Sequence, residues 1–352
     1  MKHWKQLLAL ALTLALALSL AGCGKTDPQD TEDQTEEQTE EVTGESYAIA
    51  ALKGPTAMGL VKLMSDTDEK AAQMLDSSKP YEGEVGNLYT FTLAASADEV
   101  SPLLMKGELD MACVPANLAA VLYQKTEGDI VTLAVNTLGV LYIVENGNAV
   151  TSVSDLAGKT IVASGKGSTP EYALRYLLSE NGLDPDADVT IDWKSEHSEC
   201  VTALATGAAT IAMLPQPFVT VAENKISGLR TALDLTEQWD ALDNGSALLT
   251  GVIVARREVV EQNPAAVDAF LKDYAGSVEW VNANTADAAE LIGSYDIVEA
   301  AVAEKALPHC NIVCITGGEM KDKLSGYLQV LFDADASSVG GALPGDDFYY
   351  GV

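Results

Sequence analysis

Short apolar runs alternate with amphipathic stretches through most of the chain, a pattern typical of proteins that mix strands and helices. Residues 47–52 and 159–163 are predicted to form buried strands, each followed by a turn that contains glycine. Helices are predicted after these turns at 57–64 and 171–180, the second with Thr169 as its N-cap and a proline at its first position. Because strands that alternate with helices usually pair in parallel, we expect a mostly parallel sheet in each half.

The same local pattern occurs twice, one hundred positions apart. Residues 107–115 (GELDMACVP) and 207–215 (GAATIAMLP) each begin with a glycine suited to end a helix, and each continues as a short apolar strand that stops at proline. Helices are predicted before and after both segments, at 101–106, 117–124, 200–206 and 218–223. This repetition predicts two similar α/β halves.

Two long apolar runs flank the second half, at 136–145 and 247–255. We expect them to cross between the halves in opposite directions, which makes the second lobe an insertion in the first. Lobe 1 is then predicted from residues 47–142 plus 250–352, and lobe 2 from residues 143–249. The predicted fold class is α/β, with mixed sheets in two lobes that are joined by two crossover strands.

Length and charge narrow the functional classes. A chain of 352 residues exceeds the size at which single cores stop growing, roughly 250–300 residues, so two domains are expected. Lys plus Arg total 21 against 52 for Asp plus Glu, which gives a net charge of −31. This field repels the phosphates of nucleic acids and anionic lipids, so a nucleic-acid partner is excluded.

The first 46 residues are predicted to direct and tether the protein. Two lysines precede an apolar run at 7–20, too short for a bilayer span of about 20 residues and typical of a secretory signal peptide. The sequence LAGC at 20–23 resembles a bacterial lipobox, which implies a signal peptide at 1–22, a lipidated Cys23 and an extracytoplasmic protein anchored to the cell membrane. Residues 23–46 follow as a disordered acidic tether.

Five short segments carry a family resemblance: KGPTAM at 53–58, PANLAA at 115–120, GSTPEY at 167–172, PQPF at 215–218 and GG…P…FYY at 340–350. With them, nearly all of residues 47–352 resembles the solute-binding lipoproteins of ABC importers, of the NMT1/THI5-like and sulfonate-, taurine- and nitrate-binding family. The resemblance implies a fold like the type II periplasmic binding proteins. It also implies a monomer that closes two lobes on a small-molecule solute and delivers it to ABC permease subunits, without catalysis or a cofactor.

Helix starts locate the candidate site on physical grounds. In doubly wound sheets, ligands bind beyond the carboxyl ends of the strands, where helix N-termini offer free N–H groups and partial positive charge. Two facing lobes provide four such starts, and the crossover strands are expected to line the floor. The candidate ligand-binding residues are Gly54, Pro55, Thr56, Ala57, Asn117, Gly167, Ser168, Thr169, Gln216, Pro217 and Phe218 at helix starts, and Asn136, Thr137, Tyr142 and Thr250, with Gly251, on the crossover strands.

Other reactive residues do not form a recognisable catalytic or metal motif. Free buried thiols are expected at Cys113, Cys200, Cys310 and Cys314. His197 with Cys200, or His309 with the last two cysteines, suits zinc by residue type, but this spacing alone does not specify a site. Neither histidine lies at a predicted helix start, so no catalytic residue and no metal are predicted. A sensor or partner-binding lipoprotein, and a pyrimidine-synthesis enzyme on the same fold, are the alternatives.

The sequence specifies the solute less closely than it specifies the fold. Four helix starts favour a small anion or a polar group, whereas the acidic body disfavours a highly charged anion. Members of the resembled family often carry Glu-Pro where this chain has Gln216-Pro217, and the glutamine removes one acceptor for an amine. A thiamine-precursor pyrimidine is favoured, with alkanesulfonates next.

Overall fold

The computed structural model describes residues 45–352 except 77, 80, 82 and 84. The predicted signal peptide, the lipidated Cys23 and all but the last two positions of the acidic tether lie outside the described residues. In chain order the strands are β1 Ser46–Leu52, β2 Leu88–Ala94, β3 Met111–Pro115, β4 Ile130–Leu138, β5 Leu141–Glu145, β6 Thr160–Ser164, β7 Thr190–Lys194, β8 Ile211–Pro215, β9 Arg230–Asp234, β10 Leu249–Arg256 and β11 Ile312–Ile315.

Helices cover both faces of the sheets that these strands form. They are α1 Pro55–Met58, α2 Val61–Leu75, α3 Ala97–Met105, α4 Ala116–Lys125, α5 Thr169–Glu180, α6 His197–Ala205, α7 Phe218–Lys225, α8 Leu235–Asp240, α9 Arg257–Gln262, α10 Pro264–Ala283, α11 Thr285–Ser294, α12 Ala300–Ala306 and α13 Gly317–Ala334. Four short 3-10 turns occur at Val153–Leu156, Leu307–His309, Ala336–Val339 and Asp346–Phe348.

Two mixed sheets define the two lobes. The first has the order β11-β4-β10-β3-β1-β2, with β1 parallel to β2 and β3, and with β10 antiparallel to β3 and β4. The second has the order β7-β6-β8-β5-β9, with β6 parallel to β7 and β8, and with β5 antiparallel to β8 and β9. We call the first sheet with its helices the first lobe, and the second sheet with its helices the second lobe. The predicted α/β class with mixed sheets is confirmed. The expectation of a mostly parallel sheet in each half is wrong, because the strands on either side of the chain crossings, β4, β5 and β10, run antiparallel to their neighbours.

The chain leaves the first lobe between β4 and β5 and returns before β10. The apolar run predicted at 136–145 is divided at Gly139, where an added Cβ would lie 2.1 Å from the Thr236 side-chain oxygen. Glycine is therefore needed where the chain passes from one sheet to the other. The return runs through residues 241–248 into β10, which pairs along its length with the first sheet. The predicted lobe boundaries at 142/143 and 249/250 stay a prediction.

The helix predicted at 57–64 is observed as two helices, α1 and α2, separated at Gly59. An added Cβ at Gly59 would lie 2.7 Å from the hydroxyl of Tyr274 and 2.9 Å from Ile312. The Ser277 hydroxyl on α10 also donates to the Gly59 carbonyl at 2.6 Å. Close packing against α10 and β11, which are distant in sequence, therefore interrupts the helix.

The core continues from one lobe into the other through α13. One buried cluster contains side chains of both sheets together with Tyr327 and Leu328 of α13. The Trp239 ring on α8 packs against Tyr327 at 5.6 Å and against Tyr176 of α5 at 4.8 Å. Since both Trp239 and Tyr327 are fully buried, this contact joins the lobes by apolar packing.

Candidate functional site

The residues predicted to line the floor of the site form a chain of buried polar groups in the first lobe, which we call the cleft floor. The Thr56 hydroxyl donates to the Leu52 carbonyl at 3.0 Å, and the Asn136 side-chain amide donates to the Thr56 carbonyl at 3.4 Å. The Thr137 hydroxyl in turn donates to Asn136 Oδ1 at 3.1 Å. Gly54, Pro55 and Ala57 belong to the same turn and helix start, so the structure places these predicted residues in one neighbourhood.

Thr250 lies beside this floor and differs from its neighbours. Its Oγ1 is buried and has no hydrogen-bond partner among the described residues. The next residue, Gly251, packs so closely that an added Cβ would lie 2.6 Å from Asn136 Oδ1 and from Thr56 Cγ2. A buried hydroxyl without a partner costs about 1–3 kcal/mol. Thr250 therefore has a polar group beside the floor that a solute could satisfy.

Asn117 connects the lobes. Its side-chain amide donates to the Ser338 carbonyl at 3.1 Å, and its Oδ1 accepts from the Thr169 hydroxyl of the second lobe at 3.4 Å. The helix predicted at 117–124 starts one residue earlier, at Ala116, so Asn117 lies inside its first turn and its side chain makes these tertiary contacts. Tyr142 makes a second connection, since its hydroxyl donates to the His309 carbonyl at 3.4 Å.

The predicted site residues of the second lobe form two segments, Gly167–Thr169 and Gln216–Phe218, which we call the wall. The first segment is the turn before α5. The Gly167 N–H donates to the Glu171 carboxylate at 2.7 Å, and the Ser168 hydroxyl donates to the Gly165 carbonyl at 2.8 Å. Ser168 occupies the N-cap position, but its side chain accepts no capping hydrogen bond. Gly167 is exposed and Ser168 half-buried, so this turn is more open to solvent than Thr169, which is buried.

The other half of the wall is the segment from Gln216 to Phe218. Gln216 Oε1 accepts from the Thr220 hydroxyl at 2.9 Å and from the Thr220 N–H at 3.3 Å, so the oxygen faces the first turn of α7. The bond between Gln216 and Pro217 is cis. The Phe218 ring lies 5.0 Å from the ring of His197, which sequence reasoning did not place in the site.

Sequence reasoning also missed polar groups supplied by the C-terminal region. Ser338 contacts Asn117 through its carbonyl, and its own buried hydroxyl has no partner among the described residues. The buried Tyr327 hydroxyl lies close to the Thr169 side chain, which lowers the pKa of the tyrosine against the larger upward effect of burial, but the two are not in hydrogen-bonding geometry. No local signal marks these two residues, because an isolated serine and a tyrosine within a helix are ordinary in sequence.

The residues predicted for the site carry no formal charge, and the Glu171 carboxylate beside them accepts the Gly167 N–H. Burial, with the nearby Asp234 carboxylate, raises the pKa of Tyr142 to about 12. Burial lowers the pKa of His197 to about 4, so this ring is uncharged as well. Any polarity offered to a ligand therefore comes from hydrogen-bonding groups and helix N-termini.

Metal sites, membrane spans and disulfides were checked within the described part of the chain. No group of three or more His, Cys, Asp or Glu side chains there is arranged to hold a metal ion. None of its helices combines the length and hydrophobicity that crossing a bilayer requires. Its four cysteines are free, and Cys113, Cys200 and Cys310 are buried while Cys314 is half-buried.

Known structures share this architecture at low sequence identity. An ABC transporter protein from Parabacteroides distasonis is 22% identical and superposes with a TM-score of 0.69, covering 86% of this chain and 98% of its own. The periplasmic aliphatic sulphonate binding protein SsuA from Escherichia coli is 18% identical, with a TM-score of 0.67 and coverage of 87% and 96%. The periplasmic nitrate-binding protein NrtA from Synechocystis is 14% identical, with a TM-score of 0.51 and coverage of 71% and 66%.

Sequence comparison identifies the family. No protein of curated function matches the chain. The sequence profile of the NMT1-like family, in contrast, matches residues 57–293, which is more than half of the chain. The chain therefore belongs to the NMT1-like family.

Proposed function

We propose that this protein is the solute-binding component of an ABC importer, which captures a small polar solute between its lobes and delivers it to a membrane permease. The observation that carries the proposal is the buried hydrogen bond between Thr169 of one lobe and Asn117 of the other. It joins the carboxyl edges of two sheets, which is where α/β proteins bind ligands. The structural neighbours, among them a sulphonate-binding and a nitrate-binding protein, support the same reading.

Binding without chemical conversion fits the groups present at this edge. The predicted residues offer hydroxyls, amides and backbone N–H groups, and burial lowers the pKa of His197 beside them to about 4. Acid–base catalysis is most efficient when the pKa of the catalytic group lies near the working pH. Closure of the first lobe on the second lobe is the proposed mechanism, with the two chain crossings, near the predicted boundaries 142/143 and 249/250, as hinges. Solute bound in the closed form is shielded from water by both lobes.

A neutral or singly anionic organic solute fits best. The candidate residues provide no side chain of opposite charge for a multiply charged ion. Gln216 supports this choice, because its oxygen is occupied by Thr220 and only its amide N–H groups remain to face a solute. A thiamine-precursor pyrimidine is the first candidate and an alkanesulfonate the second.

The N-terminal region supplies the proposed location. Cleavage before Cys23 and lipidation of its thiol would anchor the monomeric protein outside the cytoplasm beside its permease, at the end of the acidic tether. Intact-mass measurement of the membrane fraction tests this step, because diacylglycerol adds a defined mass at residue 23. A Cys23→Ser variant should lose that mass and leave the membrane.

Isothermal titration calorimetry with pyrimidines, alkanesulfonates, flavins and amino acids tests the proposed function. We expect saturable one-to-one binding of one class, without turnover of the solute by mass spectrometry. Replacing Asn117 by alanine should weaken binding about tenfold, since it removes a contact on each lobe. Thr202→Val, on an exposed face of α6, is the matched control and should bind as wild type does. Absence of binding across the panel, or conversion of a solute, would overturn the proposal.

A further inference from the structure

A hydrogen-bonded pair at the edge of the second sheet is not explained by the fold. Ser164 is the last residue of β6, and His197 is the first residue of α6, which follows β7. Phe218 starts α7 after β8. Because β6 is parallel to β7 and β8, the three strands end at the same edge, and these three residues converge there.

The two ring nitrogens of His197 have different surroundings. The Ser164 hydroxyl and His197 Nδ1 are hydrogen-bonded, and the Phe218 ring packs 5.0 Å from the imidazole at 45°. The Nε2 atom of His197 has no hydrogen-bond partner among the described residues, although the side chain is half-buried. The imidazole is thus fixed in orientation and keeps one polar atom unused.

Neighbouring groups determine which nitrogen carries the proton. The Cys200 thiol donates to the Glu196 carbonyl at 3.8 Å and also contacts the Ser164 hydroxyl, which lowers the pKa of the thiol against the larger upward effect of burial. Because a thiol sulfur is a weak acceptor and an imidazole nitrogen a strong one, we assign the Ser164 hydrogen to His197 Nδ1. A neutral imidazole that accepts at Nδ1 carries its hydrogen on Nε2. The unused atom is therefore a donor.

Charged groups near the pair are already occupied. Lys194 is paired with Asp192 at 2.9 Å, and the Glu199 carboxylate accepts the Ser195 N–H at 2.9 Å. An incoming solute therefore meets the His197 N–H and the N-terminus of α7, not a free cation. Together with the Phe218 face, this surface suits a flat or compact group that accepts hydrogen bonds.

We infer that His197 binds the solute directly, donating from Nε2 to a hydrogen-bond acceptor of the solute while Phe218 packs on the same group. Ser164 is a positioning residue that fixes the imidazole and its tautomer. The inference rests on the proposed function and specifies the chemistry of one wall. The two candidate solutes share the chemistry that this site requires. A pyrimidine ring nitrogen is an uncharged hydrogen-bond acceptor, and a sulfonate oxygen belongs to a singly charged one.

Two isosteric variants separate the two nitrogens of the ring. In His197→Gln the amide nitrogen takes the place of Nε2, whereas in His197→Asn it takes the place of Nδ1 and nothing replaces the outward donor. Calorimetry with the bound member of the pyrimidine and sulfonate panel should give an affinity within about threefold of wild type for Gln and about tenfold weaker for Asn. Ser164→Ala should lie between them, and the same panel identifies which acceptor is bound.

Nitrogen NMR of the histidines gives a readout that does not depend on variants. Free protein should show His197 as the Nε2–H tautomer, and saturating solute should shift Nε2 much more than Nδ1. Equal affinities of the Gln and Asn variants, with an unshifted Nε2 signal in a wild type that does bind, would overturn the inference and leave the proposed function standing. A wild type that binds nothing in the panel would overturn both.

Discussion

Replacing Gly251 by alanine tests how tightly the cleft floor is packed. Gly251 lies in the middle of the first sheet, paired with Pro115 on β3 and with Thr137 on β4. The added methyl carbon would lie 2.6 Å from Asn136 Oδ1 and 2.6 Å from Thr56 Cγ2, well inside normal contact distance. Both neighbours are buried, so neither can move into open space.

The expected cost follows from those contacts. Overpacking a buried site costs about 1–3 kcal/mol. Moving Asn136 also weakens its bonds to Thr56 and Thr137, and a hydrogen bond of this kind contributes about 0.5–1.5 kcal/mol. Alanine recovers about 0.5–1 kcal/mol of backbone entropy relative to glycine. We therefore expect Gly251→Ala to lower the free energy of unfolding by about 1–3 kcal/mol and to weaken solute binding.

Urea unfolding followed by circular dichroism measures this change, with Gly276→Ala as the control. Gly276 lies within α10 and has nothing within 4 Å of an added Cβ, so alanine there should stabilise by about 1 kcal/mol. If Gly251→Ala lowers the free energy of unfolding and Gly276→Ala raises it, the close contacts at the floor are the cause of the loss at Gly251. A Gly251→Ala protein as stable as wild type, with unchanged binding, would refute the packing argument.

Three further predictions concern single side chains. The Glu145 carboxylate, 5% exposed, pairs with Arg230 and accepts the N–H groups of Ala149 and Val150, so Glu145→Ala should cost about 3–5 kcal/mol in urea unfolding. Burial lowers the pKa of His197 to about 4, so between pH 7 and 5 the unfolded chain takes up a proton that the folded chain does not. Stability should fall by about 1–2 kcal/mol over that range, and His197→Gln should remove this part of the slope. Tyr327→Phe removes a buried hydroxyl without a partner and should raise the free energy of unfolding by about 1 kcal/mol without solute; a loss of stability would contradict the assignment.

Local signals were sufficient for most elements and failed where distant residues intervene. The strand predicted at 159–163 is observed at Thr160–Ser164, and the two segments that begin at Gly107 and Gly207 both contain a strand that ends in proline. In contrast, the breaks at Gly59 and Gly139 are caused by Tyr274 and Thr236, which pack against them from far along the chain. Neighbouring sequence contains no information about these contacts.

Prediction of the candidate site was limited in the same way, because distant residues contribute to it. Helix starts predicted most of the polar residues that converge at the carboxyl edges of the sheets. His197 was set aside because it lies in none of the four helix starts chosen for the site, and the helix predicted at 200–206 was not one of them. The structure starts α6 at His197 itself, after β7 and at the same edge of the sheet as the starts that were chosen. Ser338 lies in a 3-10 turn near the C-terminus, and only the folded chain brings it to Asn117.

The contacts between the lobes differ in strength, which bears on how the protein would open and close. At the candidate site the polar contacts, from Thr169 to Asn117 and from Tyr142 to His309, are both 3.4 Å long and contribute less than the shorter hydrogen bonds within each lobe. Lys305 on α12 also donates to Asn224 Oδ1 on α7 at 3.0 Å, and this contact is exposed to solvent. The Trp239–Tyr327 contact is aromatic, fully buried and costly to separate. Opening should therefore pivot near α13 and break the polar contacts first. Since those contacts stabilise closure only weakly, most of the free energy that favours the closed form has to come from the solute that bridges the lobes.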